Sequence, residues 1–267
     1  AAMTASRAVG VRTATITASA GSPVTSAADI VLATVEMDRS WCHTVGYVSP
    51  MVAAAVTADL LGGETPKPEA YAARLTDGIE AAHAADPEGN RPDAVIGAGI
   101  AASRQLLVVA SGTDRVTARE LVLKVEEAAW VPSAARDLET FLHGHLPATG
   151  AETSLVLVLL EREGLEARAT RARQALAAAA VTGMRPAAIL GEAASGLIPG
   201  ALTPGGRIVV PEAPAMGNAA AALLGGAGPL QLVTLEVSAA RGTNPDPIRR
   251  DDPVYLRAAD VADAPDA

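Results

Sequence analysis

The sequence predicts an α/β fold whose sheet is parallel and covered by helices on both faces. Of its 267 residues, 49% are hydrophobic, enough for a substantial core. Aromatic residues make up 2%, so Ala, Val and Leu must fill the interior by packing closely on a regular framework. From about residue 105 onward, short apolar runs without polar alternation are separated by helical stretches, the pattern of strands buried on both sides.

The elements follow in order. Residues 14 to 20 read as a short buried strand ended by Gly21-Ser22-Pro23, and Ile30 to Val35 as a second, both with β-branched side chains. A helix starts at Thr44 or at Ser49-Pro50 and closes on Leu61-Gly62-Gly63. After a turn through Pro68, residues 69 to 85 read as helix. Asp86 to Pro92 combines breakers with polarity, which marks a boundary: a first domain over 1–85, a linker over 86–104, a second domain over 105–240 and a tail over 241–267. The second domain reads as strand Gln105 to Ala110, helix 115 to 130, strand Leu155 to Leu160, helix 165 to 181, strands Ala187 to Leu190 and Arg207 to Val210, and helix 217 to 240. Two strands and one long helix are too few for a doubly wound first domain.

Composition excludes several classes of function. A formal charge of -9, with no basic cluster interleaved with aromatics, removes the terms that hold nucleic acid. One cysteine, Cys42, permits neither an intramolecular disulfide nor a CxxC pair. The longest uncharged windows, Ser40 to Ala58 and Ala213 to Leu235, are interrupted by Pro50 or by Pro214 and Pro229, which argues against a membrane span. Arg7 and Arg12 with no apolar block argue against a signal peptide, so a cytoplasmic location is expected.

Three segments carry chemistry. Ser111-Gly112-Thr113 follows a strand at the carboxyl edge of the sheet and opens a helix. These are the ingredients of an anion cradle, or equally of a capped turn. Glu120, Lys124 and Glu127 fall at i, i+4 and i+7 on one helix face, either a solvated ion-pair face or a site. Lys124 is one of two lysines in a chain that otherwise uses arginine, and a compact, tunable ammonium differs from a guanidinium. His143 and His145 lie in a short irregular segment after that helix, and imidazole moves protons near neutrality. Cys42-His43 mimics a nucleophile beside its base, but neighbours on an extended segment point apart.

The run Ala118-Arg119-Glu120-Leu121-Val122-Leu123-Lys124-Val125-Glu126-Glu127 resembles the A-x-E-x-x-x-K-x-x-E pattern of the second SIS (sugar isomerase) module in glucosamine-6-phosphate synthase and its relatives. Phe141-Leu142-His143-Gly144 is similar to the family's L-x-H-G. Pro229-Leu230-Gln231-Leu232 and Arg241-Gly242-Thr243-Asn244-Pro245-Asp246 resemble its last helix and tail. Gly10 to Leu61 resembles the later half of a first SIS module, so the implied fold is a parallel-sheet, flavodoxin-like SIS module preceded by part of another. The family's S-x-S-G-x-T phosphate loop would lie before Ala1, so the expectation is an N-terminally truncated sequence or the product of a broken gene.

The resemblance implies a phosphorylated sugar or amino sugar as ligand, with aldose-ketose isomerisation or deamination as the reaction. It implies Glu127 as the base moving a proton between C1 and C2, with Lys124 and Glu120 setting its charge balance. His143 then opens the ring from a neighbouring subunit, hence a homodimer, and Thr44 is a ligand-binding hydroxyl. Neither metal nor organic cofactor is implied. The tail carries Arg249 and Arg250 where the synthase has a Schiff-base lysine. A guanidinium cannot form that bond, so amide-nitrogen transfer is not expected, and Arg249 would clamp an anion or lie in a solvated terminus. The alternatives are a non-catalytic sugar-phosphate sensor and an inactive fragment.

Overall fold

The computed structural model describes residues 2–34 and 36–264. It divides into two compact units, one of Ala1–Arg39 with His43–Tyr71 and one of Ser40–Cys42 with Ala72–Ala267.

The first unit holds α1 (Ala2–Ala8), β1 (Ala14–Thr17), α2 (Pro23–Ala27), β2 (Ile30–Ala33) and α3 (Val45–Leu61). β1 and β2 pair in parallel with Ala14 opposite Ile30. Both are shorter than the sequence predicts, and Val35 lies outside the described residues. With one neighbour each, the strands stay half-exposed, whereas parallel strands are ordinarily covered on both faces. The N-terminus of α3 is closed by Asp38, which accepts from the amides of Thr44 at 3.1 Å, Val45 at 3.0 Å and Gly46 at 2.5 Å. Burial acts to raise the Asp38 pKa, but these amides outweigh it and hold the carboxyl below its ordinary range.

The chain crosses into the second unit within α4 (Pro68–His83) and continues through α5 (Pro92–Ala101), β3 (Gln105–Ala110), α6 (Asp114–Ala129), β4 (Ser133–Asp137), the short α7 (Leu138–Thr140), β5 (Thr153–Leu159), α8 (Leu165–Val181), β6 (Ala187–Gly191), α9 (Glu192–Leu197), β7 (Arg207–Val210), α10 (Asn218–Arg241) and α11 (Pro253–Ala262). The five strands form one parallel sheet in the order β4-β3-β5-β6-β7. Segment 86–104, predicted as a linker, contains α5, which packs on α10. Pro92 starts α5, and the buried Asp93 is tied to Arg91 at 3.2 Å and His83 at 3.0 Å.

The core lies between β3, β5 and β6 and the alanine face of α8. Ala169, Ala172, Ala175 and Ala179 are fully buried against Leu155, Leu157 and Leu159. Small side chains let that helix sit close, which is how the chain fills its interior almost without aromatic rings. On the other face, α10 packs on α5 and α6. It is long and apolar enough to cross a membrane, but two thirds of its apolar window is already buried inside this unit. Gly226 permits the α10 to α6 approach: a Cβ there would stand 2.9 Å from both Thr117 Cγ2 and Leu160 Cδ1.

β4 corrects the sequence reading, which places no strand between the helix 115 to 130 and Leu155 and takes 137–145 as irregular. Its Ser-Ala-Ala-Arg-Asp carries no β-branched residue and is held by pairing to β3, Leu106 opposite Ser133 through Ala110 opposite Asp137. After it, Phe141–His145 forms a π-helical turn anchored by the fully buried Phe141.

Candidate active site

α6 carries candidate residues at both of its ends. Thr113 and Glu127 are fourteen residues apart, which at 1.5 Å per residue is about 20 Å along the helix. The two ends therefore form separate constellations.

At the N-terminal end, the loop Ser111-Gly112-Thr113 lies beyond the carboxyl ends of β3 and β5, the crevice where sheets of this order bind ligands. Here the chain fills that crevice itself. Glu161 accepts from the Thr113 amide at 2.9 Å and the Thr113 hydroxyl at 2.7 Å. Arg168 donates to Ser111 Oγ at 3.1 Å and Ser111 O at 2.8 Å, and pairs with Asp114. Asp114, fully buried, accepts from the amides of Leu160 at 3.0 Å and Glu161 at 3.1 Å. Gly112 has φ +61, and a Cβ there would collide with the Glu161 carboxylate. The hydroxyl and amide donors predicted to hold an anion thus hold the chain's own carboxylate.

At the C-terminal end, Lys124 is 4% exposed and bridges two carboxylates, Glu127 at 2.7 Å and Glu120 at 3.6 Å. Burial acts to depress the Lys124 pKa, but the hydrogen bond and charge of Glu127, with Glu120, raise it overall. Glu120 is raised too, chiefly by burial and also by Glu127, against the pull of Lys124. Cys42 joins this cluster. Burial is the main reason its thiol is pushed up to about 11, and a hydrogen bond to Glu127 adds to it. The thiol stays protonated near neutrality, and a thiolate nucleophile has no support here.

The tail meets the same helix end. Trp130 caps α6 in the left-handed region, and the Arg249 guanidinium lies 4.5 Å from its ring centre and 3.8 Å from that of Tyr255. Arg250 stacks at 3.8 Å on Trp41, whose amide donates to Asp246 O at 2.9 Å. Thr243 Oγ1 donates to Ala128 O at 2.7 Å, satisfying one of the helix's last carbonyls. Arg249 is therefore stacked between rings rather than loose in solvent.

Of the other predicted site residues, Thr44 is in the first unit and His143 lies apart from Glu127 within the second. The Thr44 hydroxyl is 3.1 Å from Asp38 Oδ1. His143 follows the far end of β4 from Glu127, since Ser133 at the start of that strand donates to Glu126 at 3.1 Å. Its side chain is 77% exposed, and Nδ1 lies 3.2 Å from Glu139. Glu139 is in turn gripped by Arg171, which holds its carboxyl below the ordinary range. Sequence reasoning missed Glu161, Arg168, Glu139, Arg171 and the place of Cys42. The one local signal was Glu161-Arg162-Glu163, charge placed directly after an apolar strand at the ligand-binding edge.

No known family profile matches the chain, and no curated protein sequence matches it. Solved structures do. The C-terminal domain of glucosamine-fructose-6-phosphate aminotransferase from Francisella tularensis superposes over 92% of this chain and 68% of that one, at TM-score 0.73 and 17% identity. Tagatose-6-phosphate ketose/aldose isomerase from Escherichia coli covers 89% and 63% of the two chains at TM-score 0.67 and 18% identity. The chain has the SIS fold. A third SIS structure, glucosamine-6-phosphate deaminase from Thermotoga maritima, covers 88% and 64% at TM-score 0.56 and 15% identity. The chain spans about two thirds of the length of each of these SIS structures. At such identities the likeness is one of fold.

Proposed function

We propose that this chain acts on a phosphorylated sugar or amino sugar, by aldose-ketose isomerisation or the related removal of an amine, with Glu127 as the base. The observation that carries this reading is the half-buried pairing of Glu127 with Lys124 at 2.7 Å, beside Glu120 and the Cys42 thiol. A carboxylate so held takes the proton from C2 of the open-chain sugar. The C2 electron pair forms the C1=C2 bond of the enediol as the C1=O1 pair moves onto O1 and takes a proton; O2 then gives up its hydrogen as C2=O2 forms, and the C1=C2 pair takes the carried proton at C1. Lys124, 2.7 Å from Glu127, would offset negative charge developing on the sugar oxygens. Arg249, on the ring three residues beyond Glu127, would meet an anionic group as the tail covers the helix end. The activities of two proteins of like fold, a ketose/aldose isomerase and a deaminase, support the reaction class. His143 would open the sugar ring. Because it lies across β4 from Glu127 and is exposed, the two would meet on one substrate between copies of the chain, a homodimer.

The test is proton exchange in deuterated water with hexose and hexosamine 6-phosphates, read by NMR at C1 and C2. Exchange that disappears in Glu127→Gln is the expected result. Ligand-induced thermal stabilisation without exchange, unchanged in Glu127→Gln, would replace the enzyme by a sensing module.

A further inference from the structure

We infer that Glu139 is a positioning residue for His143, held in place by Arg171, and that this pairing leaves Nε2 as the nitrogen that meets the sugar. This rests on the ring-opening role proposed above for His143. Three contacts carry it. Arg171 takes Glu139 with both arms, Nε to Oε2 at 2.6 Å and Nη2 to Oε1 at 2.5 Å. Oε1 also lies 3.2 Å from His143 Nδ1. Arg171 is braced through Nη1 to Gln174 Oε1 at 2.8 Å. A bidentate guanidinium fixes the plane of the carboxylate, so the imidazole one turn away meets an acceptor of defined direction. The π-helical turn that begins at the buried Phe141 anchors that spacing, because its wider winding is tied into the core on one side while His143 faces outward.

The chemical consequence is a choice of tautomer. An ionised carboxylate can only accept, so the neutral ring carries its hydrogen on Nδ1 and presents the Nε2 lone pair. Ring opening needs that form. Nε2 takes the hydrogen of the anomeric O1 hydroxyl, the O1 electrons form the C1=O1 bond, and the C1–O5 bond breaks. Its electron pair passes to O5, which receives the hydrogen back from Nε2. No net proton is gained or lost. As a purely structural feature the cluster has little to do: Glu139 is 56% and His143 77% exposed, and ion pairs so exposed contribute little stability.

The experiment compares wild type, Glu139→Ala and Arg171→Met in the full chain. Nitrogen-15 NMR of His143, at a pH where the ring is neutral, should show hydrogen on Nδ1 in wild type and a shift toward Nε2 in Glu139→Ala, with Arg171→Met between. Turnover of a cyclic hexose 6-phosphate should fall about tenfold in Glu139→Ala. C2 exchange of a tetrose 4-phosphate, whose esterified O4 cannot close a ring, should stay at the wild-type rate. An unchanged tautomer in Glu139→Ala overturns the inference, as does an equal loss on the cyclic and acyclic substrates. Absence of exchange with any substrate in wild type defeats the functional reading separately, while the tautomer still decides whether Glu139 positions the ring.

Discussion

The Glu161 carboxylate sits on Thr113, taking its amide at 2.9 Å and its hydroxyl at 2.7 Å, 48 residues along the chain. A helix N-terminus attracts negative charge, and here the charge is internal, countered by Arg168 at 3.4 Å. Glu161→Ala therefore leaves the two Thr113 donors without their acceptor in a buried crevice and takes from Arg168 one of its two carboxylate partners, Asp114 remaining. Urea unfolding should show a loss of about 3 kcal/mol, and Glu161→Gln, which keeps an acceptor oxygen, a smaller one. A change in Glu161→Ala below about 0.5 kcal/mol would mean that water fills the place at no cost.

Lys124→Met leaves Glu120 and Glu127 facing each other without their shared cation. Stability at neutral pH should drop by about 2 kcal/mol, and acid should restore part of it by neutralising one carboxylate. In the wild type the sign is different for the lysine. Its folded-state pKa is raised, so its contribution is whole at neutral pH and fades only as alkali carries the pH through that raised value. Equal stabilities of the two proteins at neutral pH would show that the cluster is solvated.

The Cys42 thiol, pushed from 9.0 up to about 11, makes a second alkaline prediction. A neutral thiol favoured by the fold adds stability below pH 9 that is lost as the pH rises toward 11, on the order of 2 kcal/mol in all. Cys42→Ala should lack that part of the decline. Alkylation of native protein at pH 8 should be slow beside that of the unfolded chain; equal rates would place the thiol in open solvent.

Gly226→Ala adds a methyl group 2.9 Å from Thr117 Cγ2 and Leu160 Cδ1. The contact between α10 and α6 must widen, at a cost of about 1–3 kcal/mol measured by thermal or urea unfolding. No change would mean that α10 can shift freely on α6.

Legibility in the sequence followed distance along the chain. α8 and β7 have the predicted bounds, because an alanine-rich run and an Ile-Val-Val run behind two glycines are each complete local signals. β4 was hidden because its five residues become a strand only by pairing with β3. The same divide holds at the sites. Glu120, Lys124 and Glu127 share a helix face that periodicity reveals, whereas Cys42 reaches them from more than seventy residues away. Ser111-Gly112-Thr113 showed the cradle, but its occupant was 48 residues downstream.

The chain has two tryptophans, and each carries one arginine of the tail: Trp130 under Arg249 and Trp41 under Arg250. The sheet and the helices that cover it hold no indole except at that margin. Intrinsic tryptophan fluorescence consequently reports whether the tail is docked and is nearly blind to the core, so an emission change on adding a ligand can be assigned to the tail's two stacked contacts without any label.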